Sequence, residues 1–401
     1  MAKNHRQFIG LALLLVLLAG SAIFILVPRL LQINVFPSDT VSDLRFGADT
    51  VRAKVLDILE EGQVTLGNQT QTYQILLIKL LEGPHTGQLV EIDYGLRQIR
   101  PEGLKIRAGD IVLVTVGQEQ DGTLTAYFTD YVRTRPILIL FAVFVVASIL
   151  ISGWKGFRGL IAMFISLLII IGFIIPQILN GKDPVLISII GSFVVLSITL
   201  YLTYGWNLKT HSAVLGTLTA LVLTGFLARF FIDLTSLTGF GSEEALFLIQ
   251  QTNFKINLRG LVLGGMLIGT LGVLDDLVIT QASAVFEIYS ADSTQAFKTL
   301  FRSAMRIGQD HVAATVNTLV LAYAGAALPT LLLFTLSGEH YSYLINLEFV
   351  TEEIVRTLVG SLGLIAAVPI TTALASMFAV HHDRLGKLGP INSGKTQPHH
   401  H

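Results

Sequence analysis

Long apolar runs constrain this chain more than any other feature of its sequence. Of its 401 residues, 52% are hydrophobic and only 14% are charged, whereas about a quarter are charged in an ordinary soluble domain. We therefore expect an α-helical polytopic membrane protein with about eight transmembrane helices. The candidate runs are Phe8–Val27, Ile137–Ile151, Leu160–Leu179, Val185–Tyr204, Ala213–Phe231, Gly260–Val285, Val312–Leu336 and Ile354–Val380.

The first of these runs follows Lys3 and Arg6. A basic start and an apolar run are also typical of a cleaved secretory signal, and Ala19 to Ala22 would supply its small-residue cleavage region. The run is long enough to span a bilayer, so we interpret residues 1–33 as a signal-anchor transmembrane helix.

Residues 34–135 differ in kind, because β-branched alternating segments are separated by turn residues there. Five strands in so short a stretch predict a small extracytoplasmic all-β domain, an OB-like closed barrel. An SH3-like barrel or a small sandwich would give the same pattern. The predicted strands are Val51–Leu59, Thr72–Leu81, Gln88–Tyr94, Asp110–Gly117 and Leu124–Val132.

The orientation follows from the Lys and Arg residues between the apolar runs. The connection that contains Lys298, Arg302 and Arg306 is strongly basic and is expected on the cytoplasmic side. This bias predicts that both termini are cytoplasmic. Residues 136–384 then form a seven-helix transmembrane domain, and residues 385–401 form a cytoplasmic tail that ends in the remnant of a purification tag.

Two further helices are expected at the membrane surfaces. In residues 293–307 the apolar residues share one helix face and the basic residues lie elsewhere around the helix. This pattern predicts an amphipathic helix capped by Asp292 or Ser293. Residues 241–257 predict a second one on the outer side. Glu352 and Arg356 are four residues apart in the last apolar run and predict an ion pair at its rim.

One apolar run carries a stripe of small and polar residues at helical spacing. The residues lie on one helix face: Gly265, Gly269, Gly272, Asp276, Thr280, Ser283 and Glu287. The glycines predict close helix packing and permit contacts between identical chains. Asp275 lies about 100° around the helix from that face. A similar stripe in an earlier run, Ala213, Thr217, Ala220, Thr224 and Ala228, predicts helix packing.

Carboxylates at such a depth are costly to ionise in lipid and commonly mark ion or proton pathways. Asp276 is therefore the leading candidate for an ion or proton site, and Asp275 is its partner. Asn317 and Thr318 in the next run lie at a depth where they could meet Asp276 and line the same path. The alternative is that both aspartates satisfy backbone groups or a partner cation and have a purely structural role.

Several kinds of chemistry are excluded by the sequence. The chain has no Cys, which excludes disulfides and thiolate metal sites, and we expect neither a cofactor nor a metal. Nucleotide-binding loops and metalloprotease motifs are missing, and no basic aromatic stripe indicates nucleic acid. An intramembrane aspartyl protease needs aspartates on two helices, whereas Asp275 and Asp276 are neighbours. We therefore expect no enzymatic activity.

Three motifs resemble the signature of the YibE/F-like family of bacterial membrane proteins. The first runs from Gly264 through Asp275 and Asp276 to Glu287, the second from Arg302 to Asp310, and the third from Asn317 to Gly325. The resemblance covers most of the chain and implies a bacterial plasma membrane protein, but it implies no substrate.

The chain is also similar to the membrane halves of RND-type and SecD-like transporters in the order of three features. These are a mid-span Asp, an amphipathic cytoplasmic connection and a span with Asn and Thr. This chain has only one such half and lacks a large RND-style outer domain.

Two functions stay open at this point. The first is a secondary transporter or a channel-like protein that moves an ion or a small solute and is coupled to protons or cations through the intramembrane carboxylates. The second is a non-transporting scaffold or sensor whose outer barrel recruits another envelope protein.

Overall fold

The structure is a computed structural model that describes residues 50–67, 69–100, 104–118, 124–252, 256–338, 340–385 and 389–390. The signal-anchor helix expected in residues 1–33 and the tag remnant lie outside the described residues. The chain forms two compact units, which meet in sequence at Ala147 and Ser148.

The first unit contains one antiparallel sheet of five strands in the order β3-β2-β1-β4-β5. The five predicted strands are confirmed, and β1 extends further than expected. Their bounds are β1 Thr50–Leu66, β2 Gln69–Leu80, β3 Leu89–Tyr94, β4 Ile111–Gln118 and β5 Leu124–Tyr131. Alternation of buried and exposed residues along β2 and β3 places one face of the sheet over an apolar core.

The predicted closed barrel is wrong, because β3 and β5 remain edges of the hydrogen-bonded sheet. Aromatic side chains connect these edges. The Oη atoms of Tyr94 and Tyr131 lie 2.5 Å apart, and the ring centroids of Tyr94 and Phe128 lie 4.9 Å apart. A backbone ladder needs strands about 4.8 Å apart. No such ladder joins β3 to β5 in the described sheet, and these edges meet through side chains instead.

Two buried glutamines of β2 anchor the segment between β3 and β4. The Gln74 side chain accepts a hydrogen bond from the Ile106 amide at 3.0 Å and donates to the Ile106 carbonyl at 3.2 Å. Gln71 donates to the Gly95 carbonyl at 2.5 Å and accepts from the Arg100 amide at 2.8 Å. The two side chains thereby satisfy backbone hydrogen-bonding groups of this irregular segment, which does not pair as a strand.

The second unit is helical, and its helices pack around buried apolar clusters. In chain order the helices are α1 Thr134–Ile169, α2 Ile175–Leu179, α3 Pro184–Tyr204, α4 Leu208–Leu234, α5 Glu243–Thr252, α6 Leu258–Ala291, α7 Phe297–Ala326, α8 Leu328–Ser337, α9 Tyr341–Leu344, α10 Glu348–Val380 and α11 His382–Leu385. A π-helical turn, Ile170–Ile174, joins α1 to α2, and α1 itself begins in the first unit.

Five helices of the described chain are long and apolar enough to cross a membrane, or six if the bent pair α7 and α8 is one span. The chain is therefore a membrane protein, and the count of about eight spans stays a prediction. Two of the predicted runs, Ile137–Ile151 and Leu160–Leu179, fall in the single helical stretch Thr134–Leu179. Gly153 interrupts that stretch with a backbone φ of 56° and ψ of −134°.

Helices α4 and α10 cross in a register set by two reciprocal contacts between Gly and Thr. A Cβ atom at Gly216 would lie 2.3 Å from Thr371 Oγ1, and one at Gly363 would lie 2.2 Å from Thr224 Oγ1. Each contact therefore requires a residue without a side chain. The predicted packing stripe of α4, from Ala213 to Ala228, is confirmed, because all five of its residues are buried.

The expected amphipathic helix at residues 293–307 is wrong as a separate element. Helix α7 begins at Phe297 and continues without a break to Ala326. Asp292 caps the end of α6, so it does not begin the next helix. Its carboxylate accepts hydrogen bonds from the Thr294 hydroxyl at 2.6 Å and the Thr294 amide at 3.0 Å, and these bonds hold the pKa of Asp292 below its usual value.

Two of the other expected features are present. Helix α5 occupies the region of the second predicted surface helix, and the ion pair between Glu352 and Arg356 is confirmed at 2.5 Å. Arg356 also pairs with Glu353. At the start of α10, the Glu348 carboxylate accepts hydrogen bonds from the amides of Thr238 and Gly239, which fixes the loop after α4.

We expect Gly363→Ala to destabilise the helical unit by about 1–3 kcal/mol, because the new methyl group would overlap Thr224. Thermal unfolding in detergent measures the effect. The matched control is Gly265→Ala, whose Cβ would meet no atom within 4 Å. Equal unfolding midpoints for the two variants would contradict the crossing described for α4 and α10.

Candidate functional site

Helix α6 carries most of the predicted site residues. It begins where the Asn257 side chain accepts a hydrogen bond from the Gly260 amide at 3.0 Å, and it continues for 34 residues. It packs against α3, α4, α7 and α10. At 1.5 Å per residue it is about 50 Å long, so its middle third lies at hydrocarbon depth if it spans a bilayer.

The predicted stripe forms the uncovered side of α6. Ser283 is half-buried, and its hydroxyl donates to the Ile279 carbonyl at 2.8 Å. The other six residues are exposed, and we call them the open face: Gly265, Gly269, Gly272, Asp276, Thr280 and Glu287. The remaining exposed residues of α6 are Arg259, Ser290 and Ala291, close to its ends.

The two neighbouring aspartates have different surroundings. Asp276 belongs to the open face, whereas Asp275 is turned inward and its Oδ1 atom is buried. That atom has no hydrogen-bond partner among the residues that the structure describes. Tyr204, at the end of α3, lies within electrostatic range of both carboxylates. The inward carboxylate is therefore Asp275, although the spacing favoured Asp276 as the leading residue.

Asp275 faces inward because of the way α6 is rotated against α3. Gly264 lies so close to α3 that a Cβ there would be 2.4 Å from Ser188 Oγ. Asp275 follows Gly264 by eleven residues, which is close to three full turns, so both lie on the same side of the helix. The contact with α3 thus selects which aspartate is buried.

The same rotation leaves two of the predicted packing glycines uncovered within the described chain. Cβ atoms at Gly265 or Gly272 would meet no atom within 4 Å, so these two residues pack against nothing in the described chain. Gly269 is closer to a neighbour, since its Cβ would lie 3.3 Å from Tyr323 Oη of α7. The tight contact with α3 is made one residue earlier than predicted, by Gly264.

Asn317 and Thr318 are exposed on α7. The Thr318 hydroxyl donates to the Ala314 carbonyl of its own helix at 3.0 Å. Within the part of the chain that the structure describes, no hydrogen bond joins either residue to Asp276. Glu287 lies within electrostatic range of Lys209 on α4 but forms no ion pair among the described residues.

Gln281 is an important residue that the sequence reasoning overlooked. Its side chain is only 1% exposed, and its Nε2 atom donates to the Ala304 carbonyl of α7 at 3.0 Å and to the Thr372 hydroxyl of α10 at 2.7 Å. One amide of α6 is therefore bonded to both α7 and α10. The sequence indicates Gln281 only through the placement of a polar residue between Val278 and Ala282, both of which are buried apolar residues.

The described residues contain no group of three His, Cys, Asp or Glu side chains that could hold a metal ion. A mostly apolar cavity of about 630 Å³ lies among α7, α8, α9 and α10, and neither Asp275 nor Asp276 lines it.

We expect Gln281→Leu to lower the thermal stability of the protein by about 1–3 kcal/mol, because the buried Ala304 carbonyl would lose its side-chain donor. Unfolding monitored in detergent measures the loss. Thr280→Val is the matched control, since Thr280 is the exposed neighbour. An unfolding midpoint of Gln281→Leu equal to that of the control would exclude the bridging role.

Two family models match this chain. The YibE/F-like protein family matches residues 140–381, and the YibE/F family N-terminal domain matches residues 48–131. Neither a curated protein nor a solved structure matches it. Since the first match alone covers more than half of the chain, the protein belongs to the YibE/F-like family.

Proposed function

We propose that this chain is a membrane transport protein, either a secondary transporter or channel-like, that couples movement of a solute to protons or cations through Asp275. The observation that carries the proposal is the inward carboxylate of Asp275, whose buried Oδ1 has no hydrogen-bond donor in the described chain. Ionisable groups inside membrane helices are costly and are typical of ion and proton pathways.

A carboxylate with one buried oxygen that lacks a donor has two ways to lower its energy. It takes up a proton, or a cation comes close enough to balance its charge. Either event changes the charge inside the helical unit, which is the elementary step that a proton- or cation-coupled carrier needs. Asp276 lies next to it on the open face, so the two carboxylates offer one inward and one outward position along the same helix.

The polar residues around the open face extend this path in our proposal. Thr280, Ser283 and Glu287 continue it toward the end of α6, and Asn317 and Thr318 line it from α7. None of these residues needs a cofactor for such a role, and the proposed activity is not enzymatic.

The finer architecture belongs to the same proposal. We propose a bacterial plasma membrane protein with about eight spans, cytoplasmic termini and an extracytoplasmic, OB-like β domain. The helical stretch Thr134–Leu179 supports a higher span count, since its 46 residues would measure about 69 Å if straight, more than twice the hydrocarbon thickness.

Ion flux in liposomes tests this function. The purified protein is reconstituted with a trapped pH dye, and gradients of H⁺, Na⁺, K⁺ and divalent cations are imposed in turn. We expect flux for wild type and a loss of about tenfold or more for Asp275→Asn, because the amide cannot carry a proton or balance a cation. Asp276→Asn should lose less.

The matched control for flux is Asp383→Asn, because the Asp383 side chain is 89% exposed and lies outside the long helices. Wild-type flux that persists in Asp275→Asn at equal insertion would contradict the proposed role of Asp275.

The second candidate function is a scaffold or sensor whose β domain recruits an envelope partner. The observation that favours it is the exposure of large apolar side chains on that domain, including Leu89 at 57% and Ile99 at 63%. Under this function, wild type shows no flux under any gradient, and Asp275→Asn changes only folding.

A further inference from the structure

The open face of α6 differs from the exposed surfaces of the other long helices. Helix α4 exposes Val222, Phe226 and Phe230, and α10 exposes Leu358 and Ile365, as expected for helices that contact lipid. Helix α6 exposes no large apolar side chain over its full length. Its open face consists of three glycines, one threonine and two carboxylates.

Contact between lipid acyl chains and such a surface is energetically unfavourable. A charged side chain at the centre of a bilayer costs roughly 3 kcal/mol or more, and bare helix backbone offers lipid little apolar area. The residues of the described chain do not cover this face, because Cβ atoms at Gly265 and Gly272 would meet nothing within 4 Å. A second helix is a better neighbour for this face than lipid, because its backbone and polar groups can pack closely against the glycines.

The glycine spacing indicates which kind of helix fits. Gly265 and Gly269 are four residues apart, the spacing at which small residues let two membrane helices approach closely. The exposed surface of α7 also carries small residues, Ala314, Ala322 and Gly325, beside the larger Leu321. Small residues on both helices therefore allow the α6–α7 surfaces of two copies to approach each other closely.

The exposed carboxylates of α6 and the exposed cations at the start of α7 are of opposite sign, so they are also complementary between two copies. The open face carries Asp276 and Glu287, neither of which has an ion pair among the described residues, and the exposed start of α7 carries Lys298 and Arg302, equally unpaired there. Since α6 ends at Ala291 and α7 begins at Phe297, Glu287 and Arg302 lie at similar depths. A two-fold axis along the membrane normal preserves depth, so each copy can offer a cation to Glu287 of the other.

We infer that a second copy of this chain covers the open face of α6, in a two-fold dimer in which the α6–α7 surfaces of the copies pack together. The inference goes beyond the proposed function, because it rests on exposure, residue size and charge and does not require transport. Within a transporter, this interface would enclose the carboxylates of the open face between two chains.

Association of two tagged copies in lipid nanodiscs tests the dimer. Two versions of the full chain with different affinity tags are expressed together, one tag is captured, and the yield of the other is measured. We expect wild-type copies to co-purify and the double variant Gly265→Leu with Gly272→Leu to co-purify about tenfold less, because leucine side chains would hold the helices apart.

The control is Val222→Leu on the apolar exposed side of α4, which should co-purify like wild type. The glycine variant should keep the wild-type α-helix content in circular dichroism, since Cβ atoms at Gly265 and Gly272 would meet no atom of their own described chain within 4 Å. Two results would overturn the inference: wild-type copies that do not co-purify, or a glycine variant that co-purifies as well as wild type. Neither readout involves ion flux, so this test and that of the proposed function can fail independently.

Discussion

The helical unit depends on close backbone approach at positions where side chains are absent or small. Lipid gives apolar side chains little reason to prefer each other, so membrane helices associate through packing and hydrogen bonds. Gly216 and Gly363 each receive a threonine from the opposite helix, which sets the register between α4 and α10. Gln281 then joins α6 to α7 and α10 through one buried amide.

These contacts fix the rotation of α6, and the rotation determines the chemistry. With Gly264 against Ser188 and Gln281 in the core, Asp275 is turned inward and Asp276 outward. Two adjacent residues of the same type therefore acquire different environments from helix geometry alone. A change of 100° about the helix axis would exchange their positions.

Much of the fold could be predicted from the sequence, and the failures have physical reasons. The five strands were predictable because alternation is a local property, whereas closure of the sheet was not, because it depends on contacts between residues far apart in sequence, such as Tyr94 and Tyr131. The stripes of α4 and α6 have the same spacing, yet Thr224 is fully buried and Thr280 is exposed. Spacing identifies a face and does not identify what lies against it.

In the proposed mechanism, Asp275 changes its protonation or its cation partner inside the helical unit. Infrared difference spectroscopy of the protein in lipid, recorded as the pH and the cation are varied, tests this claim most directly. We expect a carboxyl band that responds to these changes, is lost in Asp275→Asn and persists in Asp276→Asn. A band that persists in Asp275→Asn, or a wild-type spectrum without such a band, would contradict it.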